Sequence, residues 1–359
     1  MDNRRRMMWK KPPEYAIYYT STDGNIVTPY RSSAFGVAKL LSNEYKDGLG
    51  RMVFDRKVDR IDSNAFKSVQ NLHCIIFPDS LTYLGGYVFQ DCSNLQIVQF
   101  NENLASIGAY AFYNCTSLKK IELPDSVTKL EFSVFYNCSQ LEYITIGKGL
   151  TNIGSGAFYN CSNLKIVNIR DIASWCNLFV SSASDTPLYY TTNLYLNDEL
   201  ITNLVIPEGV TSIGSYAFYG CSSIQTLNLP NGLTNIGRYA FWSCSCLTGE
   251  LTIPDSVTSI GEAAFSGCSG INEIQLPNNI HTIDTQAFRA CNSLISITLP
   301  DSITTLGRGV FSSCAELQTV FLSKGLTNIS NETFYGCEKL INVYIQDNVT
   351  TIDTKAFYN

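Results

Sequence analysis

The stretch Ile253-Pro-Asp-Ser-Val-Thr-Ser-Ile-Gly-Glu-Ala-Ala-Phe-Ser-Gly-Cys268 decides the reading of this chain, because its pattern keeps returning. Its phenylalanine belongs to a series at Phe66, Phe89, Phe112, Phe135, Phe158, Phe218, Phe241, Phe265, Phe288, Phe311, Phe334 and Phe357. Successive members stand 23 residues apart, except for one interval of 24 and one of 60. A period of roughly 20–29 residues marks a stacked array whose units cannot bury their apolar sides alone.

Aligned on the phenylalanines, the unit reads L-x-x-I-x-L-P-x-x-V-T-x-I-G-x-x-A-F-x-x-C-x-x. In Leu118-Lys-Lys-Ile-Glu-Leu-Pro124 and Leu294-Ile-Ser-Ile-Thr-Leu-Pro300, positions 1, 4 and 6 are apolar, while positions 3 and 5 alternate outward. A strand with one buried face has this alternation. Proline at position 7 then ends the ladder, because it has no N–H to donate. A second short strand follows, as in Val257-Thr-Ser-Ile260. Gly, Asp, Ser or Glu stands four residues before each phenylalanine, as at Gly85, Gly108 and Asp284. Most of these types favour a helix N-cap or turn, so Ala-Phe-x-x-Cys is expected to form one helical turn. The fold class predicted is a leucine-rich-repeat solenoid: a parallel sheet, short helical turns, second short strands and an N-terminal β-containing cap.

The unit resembles the BspA-like leucine-rich repeats, whose 23-residue repeat is seen at residues 253–268 and eleven more times along the chain. The resemblance implies a surface or secreted protein that binds host or matrix proteins. It does not imply a catalytic activity.

Ten of the thirteen cysteines sit three residues after a phenylalanine, from Cys92 to Cys337. A residue fixed by the repeat is set by packing, and free cysteine behaves as a small buried hydrophobe. This predicts a ladder of reduced thiols. A metal site would need thiolates converging on one point, and a ladder sets them in a line. His73 and His281 fall in different repeats about nine apart, and no repeat supplies a nucleophile–base arrangement around either, so each is expected to be a solvated surface residue. Asp125, Asp255 and Asp301 share one turn position, and one carboxylate per repeat cannot fill a Ca²⁺ shell. No phosphate-binding loop or dinucleotide, metalloprotease or hydrolase motif is present. The expectation is a chain that is not an enzyme and carries no cofactor and no metal. Asn114-Cys-Thr116, Asn137-Cys-Ser139 and Asn160-Cys-Ser162 match glycosylation triplets only as by-products of the repeat.

Function is therefore sought on the exposed strand positions, which a stacked array presents as one face. Its middle is neutral and polar, and its ends are apolar or aromatic. Aromatic and apolar anchors dominate protein interfaces, so Ile76, Ile97, Tyr143, Ile166, Phe321 and Tyr344 are the candidate contacts. Within the 60-residue interval, residues 171–200 depart from the repeat. Asp171 to Phe179 reads as a capped helix, and Leu194 to Leu200 as a hairpin turning at Asn197-Asp198. Trp175, Phe179, Tyr189, Tyr190 and Tyr195 add an aromatic candidate surface there.

The chain divides into a flexible basic arm (1–14), an N-terminal cap (15–59), repeats (60–170), the insertion (171–200) and further repeats (201–359). The arm carries Arg4, Arg5, Arg6, Lys10 and Lys11, without the apolar run of a secretory leader. In the cap, Tyr15–Thr20, Asn25–Thr28 and Arg51–Phe54 read as strands, and Ser33–Tyr45 as helix. The formal charge is −6, which disfavours nucleic acid, and no apolar run is long enough for membrane insertion. The last half-repeat has no separate cap after it, so end-to-end self-association through an open strand edge is expected.

These features describe a non-enzymatic, adhesin-like scaffold that binds a protein or glycan ligand. The alternative is a structural component of a surface or phage-like assembly.

Overall fold

A computed structural model describes residues 11–358, which form two compact units. The first reaches to Ser174 and takes in Ser184–Tyr190; the second holds Trp175–Ala183 and everything from Thr191 onward. Arg4, Arg5, Arg6 and Lys10 of the basic arm lie outside the described residues. Both units are built from the repeat, and the fold is a leucine-rich-repeat solenoid with parallel sheets.

In the first unit the position-3-to-5 segments stack as parallel neighbours: Leu72–Ile76, Ile97–Gln99, Lys120–Glu122, Tyr143–Ile146 and Ile166–Ile169. A second ladder runs through Arg60–Ile61, Tyr83–Leu84, Ser106–Ile107, Lys129–Leu130 and Asn152–Ile153. Between them, the position-7 turn closes with a Leu81 N–H bond to the Pro78 carbonyl (3.1 Å), repeated by Val127 on Pro124 (3.2 Å). Proline suits this turn, since it supplies the acceptor and needs no ladder donor.

The phenylalanines fill the space between the ladders. Phe66, Phe89, Phe112, Phe135 and Phe158 stack with ring centroids 5.2–5.6 Å apart and planes within 18°. In the second unit Phe218 to Phe357 continue the same way, at 5.2–5.8 Å. Each fully buried ring contributes about 1.5–3 kcal/mol over an exposed one.

The segment around each phenylalanine is not helical. Its residue two places before the ring takes a left-handed backbone (Tyr87 φ 58°, Tyr110 φ 58°, Tyr216 φ 62°), and so does the one two places after (Asp91 φ 60°, Asn114 φ 60°). Two turns replace the expected helical turn. Alternate N–H groups then reach the next repeat: Tyr87 donates to Ala109 (3.0 Å), Phe89 to Ala111 (2.7 Å) and Asp91 to Tyr113 (2.8 Å). A helix would have kept these donors within the segment, whereas here they bind repeat to repeat.

The glycine four residues before the ring is likewise not a cap. A Cβ on Gly108 would lie 2.5 Å from the Gly86 nitrogen, and one on Gly85 would lie 2.5 Å from the Ser63 nitrogen. Glycine is needed for close approach of neighbouring backbones.

The cap also differs from expectation. Strands β1 (Ala16–Ser21), β2 (Leu40–Lys46) and β3 (Leu49–Phe54) form an antiparallel set, with β1 between β3 and the first repeat strand. Ser33–Tyr45 is thus partly strand and contains no helix, and Asn25–Thr28 forms no strand. The reason is the Asp47-Gly48 turn, where both residues take positive φ (52° and 81°), the geometry of a two-residue hairpin. The turn pulls Leu40–Lys46 onto β3.

In the second unit the parallel groups are Asn203–Val205 with Thr226–Asn228, Thr248–Thr252 with Gly270–Gln275, and Ser296–Thr298 with Thr319–Phe321 and Asn342–Tyr344. The single 24-residue interval contains a bulge: the register shifts between Gly249 and Glu250, and Gly249 has φ 83°. One extra residue is accommodated there without disturbing Phe241 or Phe265.

Candidate functional site

On the first unit's sheet, register sets Cys74, Ile97, Lys120, Tyr143 and Ile166 side by side. Ile97, Tyr143 and Ile166 are half-buried. Ile76 is 3% exposed, because it pairs with Tyr18 of β1, so it is not a contact residue. The Lys120 ammonium lies 4.4 Å from the centre of the Tyr143 ring and 2.6 Å from Glu122. The Tyr143 hydroxyl accepts from Asn168 Nδ2 (3.0 Å) and Thr145 Oγ1 (3.3 Å). Tyr143 is held in place by these partners, as a preformed contact surface requires.

Beside this row lies a cavity of about 470 Å³, floored by Ile97, Val98, Phe100 and Pro124 and edged by Lys119, Glu102 and Arg170. Arg170 reaches Asp125 at 3.1 Å, and Asp125 also accepts from the Lys148 N–H at 3.1 Å. Partial burial raises the Asp125 carboxyl, but those two bonds outweigh it and leave the carboxyl below its ordinary value.

The second unit presents a different surface. Phe321 and Tyr344 lie opposite each other in register, with ring centroids 4.4 Å apart and planes 3° apart. They are 41% and 50% exposed. Glu250 and Glu273 also oppose each other directly on the strand face. Each accepts from a neighbour on its own strand, Thr252 Oγ1 at 3.2 Å and Gln275 Nε2 at 2.7 Å, and neither meets a cation among the described residues.

All thirteen cysteines are free, and all but Cys246 are buried. Burial pushes the Cys92 and Cys161 thiols up to about 12. Among the described residues no three His, Cys, Asp or Glu side chains are placed to hold a metal ion, and no helix is long and apolar enough to cross a membrane.

The model of the BspA type leucine-rich-repeat region matches six copies, over residues 51–177, 191–250 and 244–359. The chain belongs to the BspA-type leucine-rich-repeat family. Among solved structures, this BspA-type chain is similar to a leucine-rich-repeat protein from Eubacterium ventriosum, with 23% identity over 84% of this chain and 82% of that one and a TM-score of 0.55. A leucine-rich-repeat protein from Bacteroides ovatus is 24% identical, over 86% and 89% of the two chains, at a TM-score of 0.50. A leucine-rich cell surface protein from Faecalibacterium prausnitzii is 26% identical, over 84% and 85%, at 0.49. No curated protein matches the sequence.

Within the BspA-type insertion the aromatic candidates part company. Trp175 is 3% exposed and donates from Nε1 to the Ala217 carbonyl (2.6 Å), so it is a packing residue and not a contact. Tyr190 is half-buried, its hydroxyl accepting from the Asn160 N–H at 2.6 Å. Tyr195 is half-buried in the hairpin strand Leu194–Leu196. Phe179 and Tyr189 are 61% and 51% exposed. Of the stretch read as a capped helix from Asp171 to Phe179, only Ile172–Cys176 is helical (α1) and Phe179 lies in the short strand Phe179–Val180, while the hairpin turn falls at Asn197 (φ 49°) and Asp198 (φ 69°).

The glycosylation-like triplets gain a structural role. Asn114 Nδ2 donates to Asp91 Oδ1 (2.8 Å), Asn137 to Asn114 (2.8 Å) and Asn160 to Asn137 (2.6 Å). Asparagine tolerates the left-handed backbone of this position and links the repeats through its amide.

Proposed function

We propose that this chain is a non-enzymatic scaffold that binds a protein or glycan partner through its strand face, in an adhesin-like role. The observation that carries the reading is the Phe321–Tyr344 pair. Two large rings remain on the surface, stacked and in register, where the repeat itself asks for no aromatic residue. Exposed aromatic anchors of this kind carry much of the binding energy at protein interfaces. The unpaired Glu250–Glu273 couple on the same unit supports the reading, since a basic group on a partner would relieve it.

The test is solid-phase binding of the purified chain to a panel of extracellular-matrix proteins and glycans. The Phe321→Ser/Tyr344→Ser variant is expected to lose the binding that the parent shows, with its unfolding midpoint unchanged. Equal binding by parent and variant would remove the face assignment. Binding of the parent to no panel member would remove the adhesin-like role.

A further inference from the structure

At position 6 of several repeats, the backbone N–H donates to the position-5 carbonyl of the next repeat. Phe77 donates to Gln99 (3.3 Å), Leu123 to Thr145 (2.9 Å) and Leu322 to Tyr344 (3.1 Å). Phe100, like Leu229 and Leu276, makes no such bond among the described residues, and here the register between the two strands is reduced to the single pair Ile97–Lys120. The two strands part here, and the cavity of about 470 Å³ opens at that point.

At Phe100 the gap coincides with a change in the repeat. This repeat has Asn101 where its neighbours have Pro78 and Pro124. The buried Asn101 amide turns inward to the Pro78 (2.6 Å) and Leu81 (3.0 Å) carbonyls and accepts from the Asn103 N–H (2.7 Å). The Phe100 ring stacks on Phe77, with centroids 6.2 Å apart. The Phe100 N–H has no backbone acceptor among the described residues, and an unpaired backbone donor calls for a partner.

The charges around the opening do not balance. Arg170 meets both Asp125 (3.1 Å) and Glu102 (4.0 Å), Lys148 also reaches Asp125, and Lys119 makes no ion pair among the described residues. Lys11 is paired with Asp79 at 3.0 Å, and Lys120 with Glu122. The cavity thus combines an apolar floor, an open backbone donor and a lining in which Lys11, Lys119, Lys120 and Arg170 outnumber Glu102 and Glu122, in a chain whose formal charge is −6.

We infer that this cavity binds a short acidic peptide segment in extended form. The segment's backbone carbonyl accepts from the Phe100 N–H, its apolar side chains cover Ile97 and Val98, and a carboxylate meets Lys119 and Arg170. Backbone pairing of this kind supplies affinity while alternate side chains supply selectivity. The volume falls in the range of ordinary ligand sites, roughly 300–1,000 Å³. A saccharide would leave the aliphatic floor uncovered, which favours the peptide. The inference rests on the strand sheet being a binding face, but in the first unit alone.

The test is fluorescence anisotropy of the full chain with fluorescein-labelled Asp-Ile-Asp-Ile-Asp, its Lys-Ile-Lys-Ile-Lys counterpart and a labelled chondroitin sulfate tetrasaccharide. The acidic peptide is expected to bind about tenfold tighter than the basic one. Lys119→Glu, a surface change that leaves the core intact, is expected to narrow or reverse that preference, and Ile97→Trp to abolish binding by filling the floor. Phe321→Ser/Tyr344→Ser is expected to bind the peptide like the parent, so failure of the proposed partner face and failure of this site read out separately. Binding of the tetrasaccharide alone, of no probe, or of the peptide with no response to Lys119→Glu would each overturn the inference.

Discussion

The Sγ of Cys115 lies 3.1 Å from the carbonyl oxygen of Phe89 in the preceding repeat, and its S–H donates there. The same bond joins Cys92 to Phe66 (2.9 Å), Cys138 to Phe112 (3.2 Å) and Cys337 to Phe311 (3.1 Å). The cysteine is therefore more than a small apolar filler: it gives a second donor to a buried carbonyl that already accepts a backbone N–H, as Phe89 does from Cys92 (3.1 Å). Replacing Cys115 with Ala removes the donor and opens a small void. The expected loss is about 1–3 kcal/mol by urea unfolding, whereas Cys115→Ser, which keeps a donor, should cost less. Equal losses for the two variants would show that volume alone matters.

The same burial makes stability depend on alkaline pH. Desolvation raises the Cys74 and Cys337 thiols to about 11 and the Cys92 and Cys161 thiols to about 12, against an ordinary value of 9.0. With native values raised above unfolded ones, the stabilisation is complete below pH 9.0 and is lost as pH rises through the native values. The urea midpoint is expected to be flat from about pH 7 to 8.5 and to fall steeply between about pH 9 and 11. In the native state below that window, a thiol reagent should find one fast cysteine, Cys246, and the rest only after unfolding.

Two glycines separate close approach from conformational freedom. At Gly108 a Cβ would meet the Gly86 backbone nitrogen at 2.5 Å, and at Gly232 it would meet nothing within 4 Å, with no positive φ to oppose it. Gly108→Ala is expected to destabilise the chain by at least about 1–3 kcal/mol. Gly232→Ala should be neutral or stabilise by about 0.4–1 kcal/mol through the unfolded chain. Thermal unfolding of the two single variants checks both.

What the sequence made legible was whatever repeats. Strand segments such as Lys120–Glu122, the buried phenylalanines and the ladder of cysteines follow from a period read off the chain. The segment around Phe112 was misread because Gly108, four residues before the ring, suits both a helix N-cap and a close approach of neighbouring backbones. Only the neighbouring repeat, which takes up the N–H groups, decides between them. The cap was misread at Ser33–Tyr45, because the helix reading took no account of the hairpin signal carried by the Asp47-Gly48 dipeptide that follows. At the candidate site, composition located Phe321 and Tyr344 on the face. It could not show that β1 pairs beside Ile76 or that Ala217 takes the Trp175 N–H, since both depend on residues distant in the chain. The cavity at Phe100 left one trace, Asn101 in a slot that proline occupies in most repeats.

The Glu250–Glu273 couple offers a measure of what the face gives up for binding. The two carboxylates occupy directly opposed positions on neighbouring strands, and like charges so placed are destabilising. Both are exposed, so the repulsion is modest and screened by salt. Glu273→Gln removes one charge and leaves a side chain of the same shape. It is expected to stabilise the chain by about 0.2–1 kcal/mol at low ionic strength, with the gain shrinking as salt is added. If the couple also receives a basic group from a partner, the same variant should bind that partner more weakly and more slowly, chiefly through the association rate. A variant that is more stable yet binds equally well would assign the couple no part in recognition, and one that gains no stability at low salt would show that the two strands already hold the charges apart.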